Sequence, residues 1–274
     1  MSDWFIRMQH FTYNHNSYYI DRAYVFEQAI NWNLGPVFDK SLYSYHEPEK
    51  EAIIPMMILT PSIENVGSRL IVASTNASYL VKTLNNSKAR NIEFRHNYAG
   101  FKADSLRYLS AIRMNASFPL VSSDVALPGK PQIYIMDAGL NDNTGLLTAY
   151  QFITEFKTWI EENTSGVILI RLAENRNIDY HYTSSAVAGI LRPLGSIIYD
   201  WPFIQEVNYI PVIRSLHKLL PGKFETMRFS LGVPDKKISV SWHLTKYEKN
   251  LLLSSINAPE NQENIMKLKK ILKQ

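Results

Sequence analysis

Four short apolar runs, each bounded by turn-forming or polar residues, decide most of what this chain can fold into. They are Ile53-Ile-Pro-Met-Met-Ile-Leu-Thr60, Arg69-Leu-Ile-Val-Ala-Ser74, Pro131-Gln-Ile-Tyr-Ile-Met-Asp137 and Val167-Ile-Leu-Ile-Arg-Leu172. Their apolarity is continuous instead of alternating, the mark of strands covered on both faces, as in a sheet sandwiched between helices. The first two are separated by Glu64-Asn-Val-Gly67, whose Asn and Gly favour turns, so they are expected to pair as a hairpin or to lie side by side.

Helical spacing fills the intervals. From Lys102 to Met114 apolar residues recur at Ala103, Leu106, Leu109 and Ile112, and the pattern stops before Pro119. After Asp137 the polar turn Asn141-Asp-Asn-Thr-Gly145 opens a second helix striped by Leu146, Tyr150, Ile153, Phe156 and Ile160, ended by Asn163-Thr-Ser-Gly166. Strand, helix and strand over about 40 residues predict a βαβ unit with parallel strands. Between 180 and 235 five prolines (Pro193, Pro202, Pro211, Pro221, Pro234) cut an apolar, aromatic stretch, which predicts a loop-rich layer serving as core cover or as a lid or lipid-contact surface. Ser239-Val-Ser-Trp-His243 alternates like an edge strand, Thr245-x-x-Glu248 is a capping box, and a final amphipathic helix carries Ile265, Leu268, Ile271 and Leu272.

The fold class expected is therefore α/β, a mostly parallel sheet flanked by helices, with a loop-rich C-terminal extension. Residues 1–52 read as an N-terminal segment or insertion, 53–175 as the α/β domain and 176–274 as the extension.

Composition narrows the chemistry. Among 274 residues there is no cysteine, which removes disulfides, thiolate metal sites and a Cys nucleophile. The seven histidines, His10, His15, His46, His96, His181, His217 and His243, show no ligand spacing, so no metal is expected. No glycine pattern for nucleotide phosphates occurs, and no organic cofactor is expected. The net charge of +4 is spread among carboxylates except at Lys267, Lys269, Lys270 and Lys273, which read as a solvated helix face, so nucleic acid is not an expected partner. The first twenty residues lack the apolar stretch of a signal peptide, and no segment reaches the roughly 18 consecutive apolar residues of a membrane-spanning helix.

One segment carries chemistry. Leu109-Ser-Ala-Ile-Arg-Met-Asn-Ala-Ser-Phe-Pro119 is followed by a strand ending Asp137-Ala-Gly139 and by Asn141-Asp-Asn143. This order resembles the patatin-like phospholipases, in which a helix of small residues runs into a proline, then a strand ends in Asp-Gly-Gly or Asp-Gly-Ala, then an Asn-containing turn opens a helix. The resemblance covers about residues 53–175, which it implies are the C-terminal half of the family's α/β domain, and extends to the Leu244–Ile256 stretch. It implies that Asp137 is the aspartate of a two-residue Ser-Asp site, with Ala138, Gly139, Asn141 and Asn143 forming the turn around it. A carboxylate at the end of a buried strand stands where open α/β sheets place ligands, and it could take a proton from an attacking serine.

This sequence departs from that family in three places. Ala138 replaces the usual first glycine, the Asn-Asn-Pro turn is Asn141-Asp-Asn-Thr144, and no Gly-x-Ser-x-Gly elbow or Gly-rich oxyanion loop occurs. The expectation is a chain that supplies the aspartate of a lipid acyl hydrolase and is inactive alone. The serine would come from a missing N-terminal part of the same protein, or the chain would meet a second copy of itself. The alternative is a non-catalytic module that binds a partner or a membrane surface through Tyr180–Phe229.

Overall fold

The computed structural model describes residues 9–81, 91–99, 102–117, 125–127, 133–174, 186–232, 236, 238 and 244–273, with the backbone alone at 22, 174, 186–200 and 202. The chain divides into two compact units, Met1–Thr148 and Ala149–Gln274.

The first unit opens with an antiparallel hairpin of β1 (His10–Tyr13) and β2 (Asn16–Tyr19), turned by Asn14 and His15 at positive φ. Helix α1 (Arg22–Leu34) follows, capped by Asp21, whose carboxylate accepts the amides of Ala23 and Tyr24. After the short α2 (His46–Lys50) come β3 (Ile58–Leu59), β4 (Ser62–Ile63) and β5 (Leu70–Ala73). The turn after β4 has Asn65 and Gly67 at positive φ, the conformation those residues adopt most cheaply. β5 pairs antiparallel with β3 and parallel with β6 (Ile92–Glu93), and all four of its residues are buried. The expected neighbourhood of the first two apolar runs is thus observed.

Helix α3 (Phe94–Asn97) leads to a 3₁₀ turn and then α4 (Tyr108–Asn115). The helix expected from 102 starts later, because Leu106 and Arg107 are extended and bonded across to residues 40–42. β7 (Val125–Ala126) and β8 (Tyr134–Met136) complete a sheet in which β8 lies between β4 and β7, antiparallel to both. Leu42, Leu70, Val72, Leu106, Met114 and Ile135 are at the centre of the core.

A buried charge cluster ties α1 to α4. Arg107 binds Glu27 and, through Nε, Asp39 at 2.6 Å, while Arg113 reaches Asp21 at 3.1 Å and Glu27 at 3.3 Å. Burial still raises the Glu27 carboxyl above its ordinary range, against the pull of both arginines.

The turn after β8 contains α5 (Gly139–Asp142) and runs into α6 (Leu146–Glu155), which is followed by α7 (Lys157–Asn163). In the second unit β9 (Val167–Glu174) pairs parallel with β10 (Phe224–Leu231) over eight residues, and α8 (Ala186–Leu219) connects them. Gly166 is required before β9, since a Cβ there would stand 2.5 Å from the Lys223 carbonyl oxygen. Helices α9 (Lys246–Ser254) and α10 (Pro259–Ile271) end the chain, α9 with the expected Thr245–Glu248 capping box. Asn261 of α10 brackets Ser230 of β10, accepting its amide and donating to its carbonyl.

Three expectations are corrected. The stretch 186–219 is one helix of 34 residues, not loops, because burial of Gln205, Tyr209 and Leu216 on one side outweighs the local penalty of Pro193, Pro202 and Pro211. β8 and β9 do not form the expected βαβ pair among the described residues. Both edges of β8 are taken by β4 and β7, and β9 finds β10 instead. The expected mostly parallel sheet is cut back to a mixed α/β class with small sheets that are partly parallel: among the described residues β5–β6 and β9–β10 pair parallel and the other strand pairs antiparallel. The Ser239–His243 strand lies outside the described residues.

Candidate functional site

The end of β8 is held before any chemistry is considered. The Asp137 amide donates to the Ser117 carbonyl at 3.2 Å and that of Ala138 to the Asn115 carbonyl at 3.3 Å, fastening the strand end to the C-terminus of α4. Asn115 also accepts the Thr60 amide through its side chain, so β3, α4 and β8 meet here.

Asp137 is half-buried, and its Oδ1 accepts the Gly139 amide at 2.5 Å. Burial raises its carboxyl above the ordinary value, and the Gly139 hydrogen bond only partly opposes this. A carboxylate so placed is a better proton acceptor than one in water. Its main-chain carbonyl accepts the Ser62 hydroxyl at 3.0 Å, and Ser62 Oγ in turn accepts Asn141 Nδ2 at 2.7 Å.

Two positions in the turn have simple geometry. Ala138 is right-handed helical (φ −63°, ψ −28°), so nothing there demands glycine. Gly139 is different: a Cβ on it would stand 2.6 Å from Asp137 Oδ1 and 3.0 Å from Asn143 Oδ1. Asp137, Gly139 and Asn143 are thereby brought together, with Asn141 turned to Ser62.

Ser62, Arg69, Asn115, Asp142 and Thr148 also build this site and were not singled out from sequence. Asp142 Oδ1 accepts the Leu147 amide and Oδ2 the Thr148 amide, both at 2.9 Å, which caps α6. Oδ2 also takes the Thr148 hydroxyl at 2.7 Å and Arg69 Nη1 at 3.2 Å. The legible signals were an arginine opening an otherwise apolar strand and an aspartate shortly before a helix.

Among the described residues, no serine hydroxyl donates to the Asp137 carboxylate, and no group of three His, Asp or Glu side chains could hold a metal ion. Asp179-Tyr-His181 with Ser184 or Ser185, the residue types of a Ser-His-Asp triad close together in sequence, lies outside the described residues. A scan of protein-family models finds no match to this chain, and a search of curated proteins finds none either.

Proposed function

We propose that this chain is the aspartate-bearing part of a lipid acyl hydrolase of the patatin-like kind. The observation that carries the reading is the half-buried Asp137 carboxylate, held at a strand end by one Gly139 hydrogen bond and raised in basicity by burial. In this reading Asp137 removes the proton from a serine hydroxyl as that oxygen bonds to the ester carbonyl carbon. The carbonyl electron pair moves onto oxygen, then re-forms the double bond as the alcohol leaves with the proton from Asp137. Water, deprotonated by the same carboxylate, releases the acid and restores the serine. No metal or organic cofactor takes part in this sequence, and the nucleophile comes from outside the described residues.

The test is hydrolysis of a short-chain p-nitrophenyl ester by the 274-residue chain and by its upstream-extended form, each with and without Asp137→Asn. Activity that is abolished by the substitution supports the reading. Absence of hydrolysis from both forms overturns it.

A second reading, a partner- or membrane-surface-binding module, is favoured by one feature of α8. Phe203, Ile204, Val207 and Ile210 are 46–56% exposed on the side away from Gln205 and Tyr209. No described helix is long and apolar enough to cross a membrane, so a membrane contact through this row would be peripheral.

A further inference from the structure

β4 and β5 meet the Asp137 turn at two points. Ser62 and Arg69 face each other in an antiparallel bridge. Ser62 holds the Asp137 carbonyl, and five residues further along the same turn Arg69 holds the Asp142 carboxylate. Arg69 is itself anchored, its Nε donating to Asn91 Oδ1, whose amide donates to the Leu80 carbonyl. A single cross-strand pair therefore grips both ends of the segment that contains Gly139, whose amide bonds the Asp137 carboxylate.

The ion pair is an expensive way to pack a core. The Asp142 side chain is fully buried and that of Arg69 is 9% exposed, and an apolar pair of similar volume is often as stable or more so. What an apolar pair could not do is bind the first turn of α6. Asp142 takes two amides and a hydroxyl there while Arg69 ties it to the sheet. With Asp142 fixed at one end and Asp137 at the other, α5 has no freedom to swing, and the Gly139 amide stays on Oδ1.

We infer that Ser62, Arg69 and Asp142 form a two-point clamp that positions the Asp137 carboxylate for proton transfer. Arg69 and Asp142 touch no reacting atom in this scheme and act through the turn. The inference rests on the reading of Asp137 as the base.

The experiment is a ¹³C carboxyl NMR titration of Asp137 in the 274-residue chain, comparing the parent with Asp142→Asn, Arg69→Met and Ser62→Ala, with circular dichroism confirming the fold. A released turn lets water reach the carboxylate, so each folded variant is expected to lower the Asp137 midpoint by about half a unit or more. Arg69→Lys, which keeps the charge, should restore part of the shift. Thr148→Val, which removes two hydrogen bonds of the clamp, to Asp142 and from Arg69, and little volume, carries the same readout if the charge variants do not fold. An Asp137 midpoint unchanged in the folded variants overturns the clamp.

In the ester-hydrolysing form, Asp142→Asn should lower kcat on the order of tenfold to a hundredfold with KM little changed. Shifted titrations without hydrolysis in any form would sink the acyl-hydrolase reading and leave the clamp standing. Hydrolysis with unshifted titrations would do the reverse.

Discussion

At the scale of single residues, the turn after β8 separates two neighbouring small residues, Ala138 and Gly139, by what each can tolerate. Ala138 has ordinary helical dihedrals and a buried methyl, so Ala138→Gly adds backbone freedom, loses that methyl and should cost about 1–2 kcal/mol in urea unfolding, with the Asp137 titration unmoved. Gly139→Ala puts a methyl 2.6 Å from Asp137 Oδ1, so the carboxylate must turn away and lose its amide. The expected result is a displaced Asp137 titration and loss of any ester hydrolysis. Equal behaviour of the two variants would refute this account of the turn. The buried clasp of α1 on α4 gives a larger effect. Arg107→Met leaves Glu27 and Asp39 without their shared cation, and about 3–5 kcal/mol of stability should be lost by the same measurement. Glu27→Gln should cost less, because burial already opposes the Glu27 charge.

At the scale of elements, the sharpest prediction concerns α8. Proline in a helix interior is about 3 kcal/mol less favourable than alanine, whereas in a loop its replacement by alanine loses about 0.4–1 kcal/mol through unfolded-chain entropy. Pro211→Ala in the full chain should therefore raise stability by about 1–3 kcal/mol. A fall would mean that the segment around Pro211 is not helical. The same helix marks how far sequence reading reaches. Continuous apolarity marked β5, and Thr245 with Glu248 announced α9, because both signals are local. The prolines of α8 are local too, but burial of Tyr209 and Leu216 against the rest of its unit overrides them. β10 gave no alternation to read, since its buried residues Phe224, Met227 and Ser230 recur every third position instead of every second. Which strands pair was equally illegible, because the β9–β10 register joins residues more than fifty positions apart. At the site, Asp137, Gly139, Asn141 and Asn143 were visible as a motif. Ser62, Arg69 and Asp142 were not, because their roles arise only when β4 and β5 fold against the turn.

At the scale of the whole chain, burial of phenols sets an alkaline limit on the unit Met1–Thr148. Tyr13, Tyr18, Tyr45, Tyr79, Tyr98 and Tyr108, all in the unit Met1–Thr148, have hydroxyls raised above the ordinary value of 10.0, chiefly by burial. Tyr18 and Tyr45 are pushed up to about 12. The hydrogen bonds differ in kind: Tyr45 donates its proton to the Val37 carbonyl, while Tyr18 oxygen accepts the Arg107 amide at 3.0 Å. A group whose pKa is higher folded than unfolded contributes fully below the unfolded pKa and loses that contribution as pH rises through the folded one. Between pH 10 and about 12 the folded unit keeps protons that the unfolded chain releases, so each such tyrosine lowers stability by up to about 1.4 kcal/mol per pH unit. Alkaline unfolding of this unit should therefore set in over that range. Hydrogen exchange at rising pH, corrected for intrinsic rates, should show β5 losing protection between pH 10 and about 12, with part of the tyrosinate absorbance appearing only as β5 opens. Tyrosinate forming in full while β5 stays protected would show that the rings already meet solvent and that the phenols do not set the alkaline limit.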